Sequence, residues 1–311
     1  MDQTTIRESA RLVESKDVSA RRMRVFRVES VYLLPDTYVI ESPTALQILL
    51  QPWIVGAKLA RLARSSSVDF LRTAYHLCPE LRESLLGNVT EVVPLAGSLY
   101  YGIGEAFEVV FGEAVSRSFI GAKRHLSPSG WITELSYENF EAMSPDPVII
   151  IGDTIATGGT IERIVESTVA HASDMRAIII YAIAGGLAGA VRIKQLANRI
   201  GVPVYLFCSN AVFGVEQNGT DMPWLHPGTI TSPENRGKAE DAYGSDLGRR
   251  WCSVWDWGER AKDPLKHLEG LLRRCDIELS SGIANPAKNR VARIKLETRK
   301  VLDRWKKPLA I

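Results

Sequence analysis

A chain of 311 residues, 45% hydrophobic and 24% charged, carries enough apolar side chain to bury one large core or two modest ones. Its 38 basic and 36 acidic residues leave a formal net charge of +2, so no whole-chain field recruits nucleic acid, and any such site would be local. No stretch reaches the roughly 18 uninterrupted apolar residues of a membrane crossing, and the acidic start MDQTTIRESARLVESKD lacks the apolar centre of a secretion signal, so the expected compartment is the cytoplasm.

Residues 24–40 hold two β-like runs divided by Pro35-Asp36, which predicts a hairpin or edge strands ahead of the main body. Ser42 and Thr44 around Pro43 predict a capped helix start, and Pro52 predicts its interruption before a mainly helical stretch to about residue 86. From there the rhythm changes. EVVPLAG (91–97) reads as a short strand, 99–114 has helical spacing, and SRSFIGA (116–122) is strand-like again. The interval 123–147 is polar, aromatic and rich in turn formers, as expected of a hairpin, lid or binding loop.

VIIIG (148–152), a helix over about 158–171, RAIIIYAIA (176–184), a helix over about 187–199 and VPVYLFC (202–208) continue the alternation. Continuous β-branched runs of this kind suit strands covered on both faces. The expected fold is therefore α/β, a mostly parallel central sheet with flanking helices and N- and C-terminal elaborations. Residues 214–249 are polar and rich in Gly and Pro, and Trp251, Trp255 and Trp257 follow as a cluster suited to core packing or to stacking an aromatic ligand. In the tail, Val291, Ile294, Thr298, Val301 and Trp305 recur at helical spacing. Residues 258–311 hold 14 basic and 7 acidic side chains, which fits a solvated helical face, a subunit contact or an anionic partner. Cys78, Cys208, Cys252 and Cys275 form no CxxC or zinc pattern, and Cys208 reads as a small buried hydrophobe.

The chemistry concentrates in residues 148–160, VIIIGDTIATGGT. A buried strand ending at Gly152 delivers Asp153 to the carboxyl edge of the sheet, where open α/β sheets place their ligands. Thr157, Gly158, Gly159 and Thr160 then turn the chain into a helix whose first amides and positive dipole end favour phosphate. Asp153 would repel bare phosphate but can accept hydrogen bonds from sugar hydroxyls or help hold a cation attached to a polyphosphate, so the pair describes a sugar phosphate better than inorganic phosphate. A plain strand-to-helix turn capped by Asp153 is the simpler alternative. Neither the Walker pattern nor GxGxxG after the first strand is present, and no HExxH or GxSxG appears.

IIIGDTIATGGT resembles the phosphoribosyl-pyrophosphate motif of type I phosphoribosyltransferases, and further segments resemble the uracil branch. These are Pro94-Leu95-Ala96-Gly97 before GIGEAF, the 123–147 interval as a hood loop, YAIAGGLAGAVRI, and the fainter Asp246-Leu247-Gly248-Arg249-Arg250-Trp251. The likeness covers about 90–252. It implies a phosphoribosyltransferase-like core over 90–210, an acceptor-site segment over 211–257, an N-terminal hairpin and helical elaboration over 1–89, and a helical extension over 258–311.

The implied reaction moves a 5-phosphoribosyl group from phosphoribosyl pyrophosphate to a nucleobase or related heterocycle, with Mg²⁺ bridging ribose and pyrophosphate oxygens and a homodimer or larger oligomer as the assembly. By the same resemblance, Ala156, Thr157, Gly158, Gly159 and Thr160 bind the 5′-phosphate, and Asp153 holds a ribose hydroxyl. Ala96, Gly97 and Ser98 contact pyrophosphate, Lys123 or Arg124 closes over it, and Asp246 and Arg250 meet the acceptor. Four positions depart from the pattern: Gly152 stands where the general motif and the uracil branch have an acid, Asp153 where the uracil branch has proline, Leu95 where the first loop has arginine, and Arg249 where the acceptor segment has an acid. A noncatalytic regulatory protein that binds the activated sugar is the alternative these departures suggest.

Overall fold

The computed structural model describes residues 2–19, 23–128, 130–172, 174–255, 257–282 and 285–307. Nine strands form the main sheet: β1 (Arg11–Glu14), β2 (Val25–Glu29), β3 (Thr37–Ile40), β4 (Val89–Leu95), β5 (Ser116–Ser127), β6 (Gly130–Asn139), β7 (Val148–Gly152), β8 (Ala177–Ala182) and β10 (Val204–Ser209). They lie in the order β1-β2-β3-β10-β8-β7-β4-β5-β6. The run from β3 to β5 is parallel throughout, and antiparallel hairpins close both edges. A smaller sheet joins β9 (Gly185–Gly186), β11 (Ala211–Phe213) and β12 (Ile230–Thr231).

The helices are α1 (Gln3–Ser9), α2 (Pro43–Leu50), α3 (Gly56–Leu77), α4 (Pro79–Arg82), α5 (Ile103–Phe111), α6 (Gly159–His171), α7 (Leu187–Ile200), α8 (Pro233–Arg250), α9 (Trp257–Lys262), α10 (Pro264–Ser280) and α11 (Asn285–Trp305). The mostly parallel sheet with flanking helices is the architecture expected from the sequence. Ser42 caps α2 by accepting from Ala45 N, as the Ser-Pro-Thr signal predicts, and α2 ends just before Pro52.

The apolar runs of β7 and β8 are continuous because both of their faces are covered. Val148, Ile150, Ile179 and Tyr181 pack in one core with α2, α3 and α5, whereas Ile149, Ile151, Ile178 and Ile180 pack in another with α6 and α7. Each fully buried isoleucine contributes about 1.5–3 kcal/mol of burial. The predicted hairpin over 24–40 is β2–β3, and β3 also pairs in parallel with β10, so the N-terminal segment extends the central sheet.

Beyond β12 the polar stretch forms α8, kinked at Gly244 (φ 71°). The tail stripe of Val291, Ile294 and Thr298 is buried where α11 packs on α10 and α8. All four cysteines are buried and free. No helix among the described residues is long and apolar enough to cross a membrane.

Candidate functional site

The centre of the sheet fixes the loop after β7. Asp153 N donates to Tyr181 O at 3.0 Å, Ile155 N to Ala184 O at 3.0 Å, and Ala156 O accepts from Gly189 N at 2.9 Å. These bonds pin residues 153–156 to β8 and to the start of α7. The chain then turns at Gly158, the N-cap of α6, with φ 79° and ψ 0°. A side chain there would be strained by the left-handed backbone and would also bring its Cβ to 3.0 Å from Gly189 Cα.

Among the described residues, no other loop or turn carbonyl accepts from the amides of Thr157, Gly158, Gly159 or Thr160. The amides that open a helix have no acceptor within it, so this group of donors is available to an anion. Residues 153–161 line a pocket of about 220 Å³ together with Arg124, Trp131, Thr133 and Arg192. Arg192, on α7, carries its Nη1 over Gly159, 3.0 Å from where a Cβ would stand, and pairs loosely with Glu162 at 3.4 Å. Two arginines and a helix start thus face one small volume.

This pocket opens into a cleft of about 500 Å³ that shares Asp153, Thr154, Arg124 and Trp131. Asp153 is only partly exposed, and its Oδ1 accepts from Thr154 N at 2.8 Å. Burial pushes its carboxyl up to about 7, against the opposing hydrogen bond from Thr154 and the charges of Arg124 and Lys262. A carboxyl poised near neutrality in a cleft is a marker of function.

The 123–147 interval is the end of β5, the β6 arm and the return to β7. Alternation along the β5–β6 hairpin separates the two basic candidates. Arg124, opposite Thr133, lines both cavities and lies 4.6 Å from the Trp131 ring centroid. Lys123, opposite Glu134, is exposed and lines neither. The hairpin reaches the loop directly, for the hydroxyls of Thr133 and Thr160 are 3.1 Å apart. Tyr137 is exposed, and Phe140 stacks on His171 and lines neither cavity.

Of the first loop, Gly97 lines the cleft and its carbonyl accepts from Trp257 Nε1 at 3.0 Å, Ala96 is partly exposed, and Ser98 is buried. Leu95 lines the cleft where an arginine would supply charge. Gly152 is packed so that a Cβ would meet Ile103 Cδ1 at 2.4 Å and Tyr101 at 3.1 Å, so this chain has no room for an acid there.

Asp246 and Arg250 lie outside both cavities. Arg250 forms ion pairs with Asp246 at 2.8 Å and Glu278 at 2.9 Å, and Glu278 also accepts from Trp251 Nε1, which ties α8 to α10. The far wall of the cleft is instead Thr220, Asp221, Met222, Val254, Trp255 and Trp257. Trp255 Nε1 is shielded from solvent and unpaired among the described residues. Trp251 and Trp257 are buried, so the tryptophan cluster serves both core and cleft.

Arg192, Thr133, Asp221 and Lys262 escape the sequence reading. Arg192 alone left a signal: it sits three residues after a glycine on the helix that follows the neighbouring strand, a spacing that faces it toward the loop.

The sequence matches no protein-family profile and no curated protein. Among solved structures, the purine phosphoribosyltransferase from Pyrococcus horikoshii Ot3 aligns with 50% of this chain and 85% of its own, at 15% identity and a TM-score of 0.32. The adenine phosphoribosyl transferase from Trypanosoma brucei, solved with AMP, pyrophosphate and ribose-5-phosphate, aligns with 67% and 97%, at 13% identity and 0.37. A hypothetical protein from Neisseria gonorrhoeae with bound ppGpp aligns with 51% and 83%, at 8% identity and 0.33. Likenesses at these scores assign no residue roles to this chain. None of these three bears the name of the uracil branch; the two enzymes among them are named for purine and adenine.

Proposed function

We propose that the cleft transfers a 5-phosphoribosyl group from phosphoribosyl pyrophosphate to a nitrogen heterocycle and releases pyrophosphate. The observation that carries this reading is the group of amides at Thr157–Thr160, without a loop or turn carbonyl as acceptor among the described residues, beneath Arg192 and one turn of chain from a carboxyl at the joint between a small pocket and a larger cleft. A phosphate fits the first volume, a ribose hydroxyl meets the second feature, and the larger cleft holds a leaving group and an acceptor.

In this scheme the loop amides and Arg192 anchor the 5′-phosphate and Asp153 accepts from a ribose hydroxyl. Arg124 neutralises charge on the departing pyrophosphate while the acceptor ring lies against Trp255 and Met222. The acceptor nitrogen forms its bond to C1 as the bond to pyrophosphate breaks, so no side-chain nucleophile is required. Asp153 and Asp221 are the carboxylates that line the cleft, and no cluster of three or more His, Cys, Asp or Glu exists among the described residues. These two carboxylates are the residues that would hold Mg²⁺, which would supply charge neutralisation to the leaving group.

The test is magnesium-dependent release of pyrophosphate from phosphoribosyl pyrophosphate across a panel of purine, pyrimidine and other heterocyclic acceptors. Turnover with one acceptor, lost in Asp153→Asn, supports the reading. Binding of the activated sugar without turnover across the panel overturns it in favour of a regulatory protein, a second reading favoured by the uncharged Leu95 and by the engagement of Gly97 O with Trp257.

A further inference from the structure

A third cavity, of about 680 Å³, lies between the start of α3 and the end of α11 and shares no residue with the pocket or the cleft. Its volume is that of a small-ligand site. Two tryptophans, Trp53 and Trp305, and four cations, Lys58, Arg61, Arg304 and Lys307, stand on its walls. Glu297 also lines it, but its carboxylate already holds Lys300 at 2.7 Å.

A solvated basic helix face tends to satisfy its charges locally, and part of α11 does so. Lys295 pairs with Asp276, Lys300 with Glu297 and Lys306 with Glu269. The four cations around the cavity differ, for among the described residues none of them has a carboxylate partner; Arg304 Nε donates to Lys300 O at 3.3 Å. Gathering unpaired like charges around a concavity leaves a positive potential that an anion relieves.

The aromatic wall is fixed by the backbone. Gly56 has φ +59° and lies under Trp305, whose Cζ2 would be 2.6 Å from a Cβ at that position. The indole remains 45% exposed, a large apolar ring held open beside the cations. A flat ring held at one side of a cationic concavity matches a ligand with an aromatic base and several phosphates.

We propose that this cavity binds a nucleoside polyphosphate, with the base against Trp305 and Trp53 and the phosphates on Lys58, Arg61, Arg304 and Lys307. The site is independent of the transferase reading, because none of its residues lines the cleft. It also gives a ligand to the excess positive charge of residues 258–311.

Isothermal titration of the full chain with ATP, with tripolyphosphate and adenosine as the separate halves, tests the proposal. Saturable ATP binding is expected, tighter than either half. A Lys58→Glu, Arg304→Glu double variant should weaken ATP at least tenfold. Trp305→Ala should weaken ATP about tenfold while leaving tripolyphosphate unchanged. All three positions are exposed, and a thermal unfolding transition like that of the parent chain identifies the variants as folded.

Four results would overturn the assignment: no saturable ATP binding, ATP binding that survives these variants but is lost in Arg192→Glu, equal loss of ATP and tripolyphosphate in Trp305→Ala, or a single-stranded oligonucleotide that binds there more tightly than ATP. The second result would move ATP to the cleft, the third would reduce the site to an ionic patch, and the fourth would make it a nucleic-acid surface.

Discussion

Asp153 carries a measurable signature apart from any substrate. Its folded-state value of about 7 lies above the ordinary 3.8, so its contribution to stability is fully present below about pH 4 and is lost as the pH rises through 7. Asp153→Asn, which never ionises, should flatten that part of the stability profile and be more stable than the parent above pH 7, as read by urea denaturation at a series of pH values. Binding of the activated sugar should follow the opposite course, strengthening as the carboxylate forms. Arg192→Ala should weaken ribose-5-phosphate binding by about 2 kcal/mol, the usual worth of a hydrogen bond to a charged group, and calorimetric titration would show it. Gly152→Asp should not restore a second acid to the loop. Against Ile103 and Tyr101 the added side chain should cost about 1–3 kcal/mol of stability, seen as a lowered Tm.

At the level of elements, the loop at the start of α6 was legible because strand, acid, paired glycines and helix lie within thirteen consecutive residues, 148–160. The wall opposite was not legible. Asp221, Trp255 and Trp257 come from segments with weak periodicity, and Trp257 reaches the cleft from α9, which is held in place by a buried arginine far from the motif. Arg260 donates to the carbonyls of Ile48, Ile54 and Gln51 at 2.8–3.0 Å, joining α9 to the turn between α2 and α3. Arg260→Met should remove all three of these hydrogen bonds, leaving Gln51 O only its bond from Ile54 N, and cost about 3 kcal/mol or more, and it should weaken acceptor binding together with stability. Retained acceptor affinity in a destabilised variant would show that α9 is not what shapes the cleft wall. The strand-loop-helix motif also could not distinguish Lys123 from Arg124, since only the register of β5 on β6 decides which of two neighbours faces the cavities.

For the whole molecule, the N-terminal segment proves integral to the sheet. A chain beginning at residue 42 would lack β1, β2 and β3 and would expose the long edge of β10, whose backbone groups pair with β3 over Leu206–Ser209. Such a truncation should aggregate or fail to unfold cooperatively, which size-exclusion chromatography and thermal denaturation would reveal. The sequence by itself determined the α/β layering, the parallel centre and the turn that opens α6, because burial on both faces writes continuous apolar runs and a tight strand-to-helix turn writes adjacent glycines, both local in the chain. Only the tertiary structure decided which cations face the loop, what walls the cleft and where the basic tail meets two tryptophans. Those choices depend on strand register and on contacts between residues as far apart as Trp53 and Trp305, and no local pattern encodes a distance across the fold.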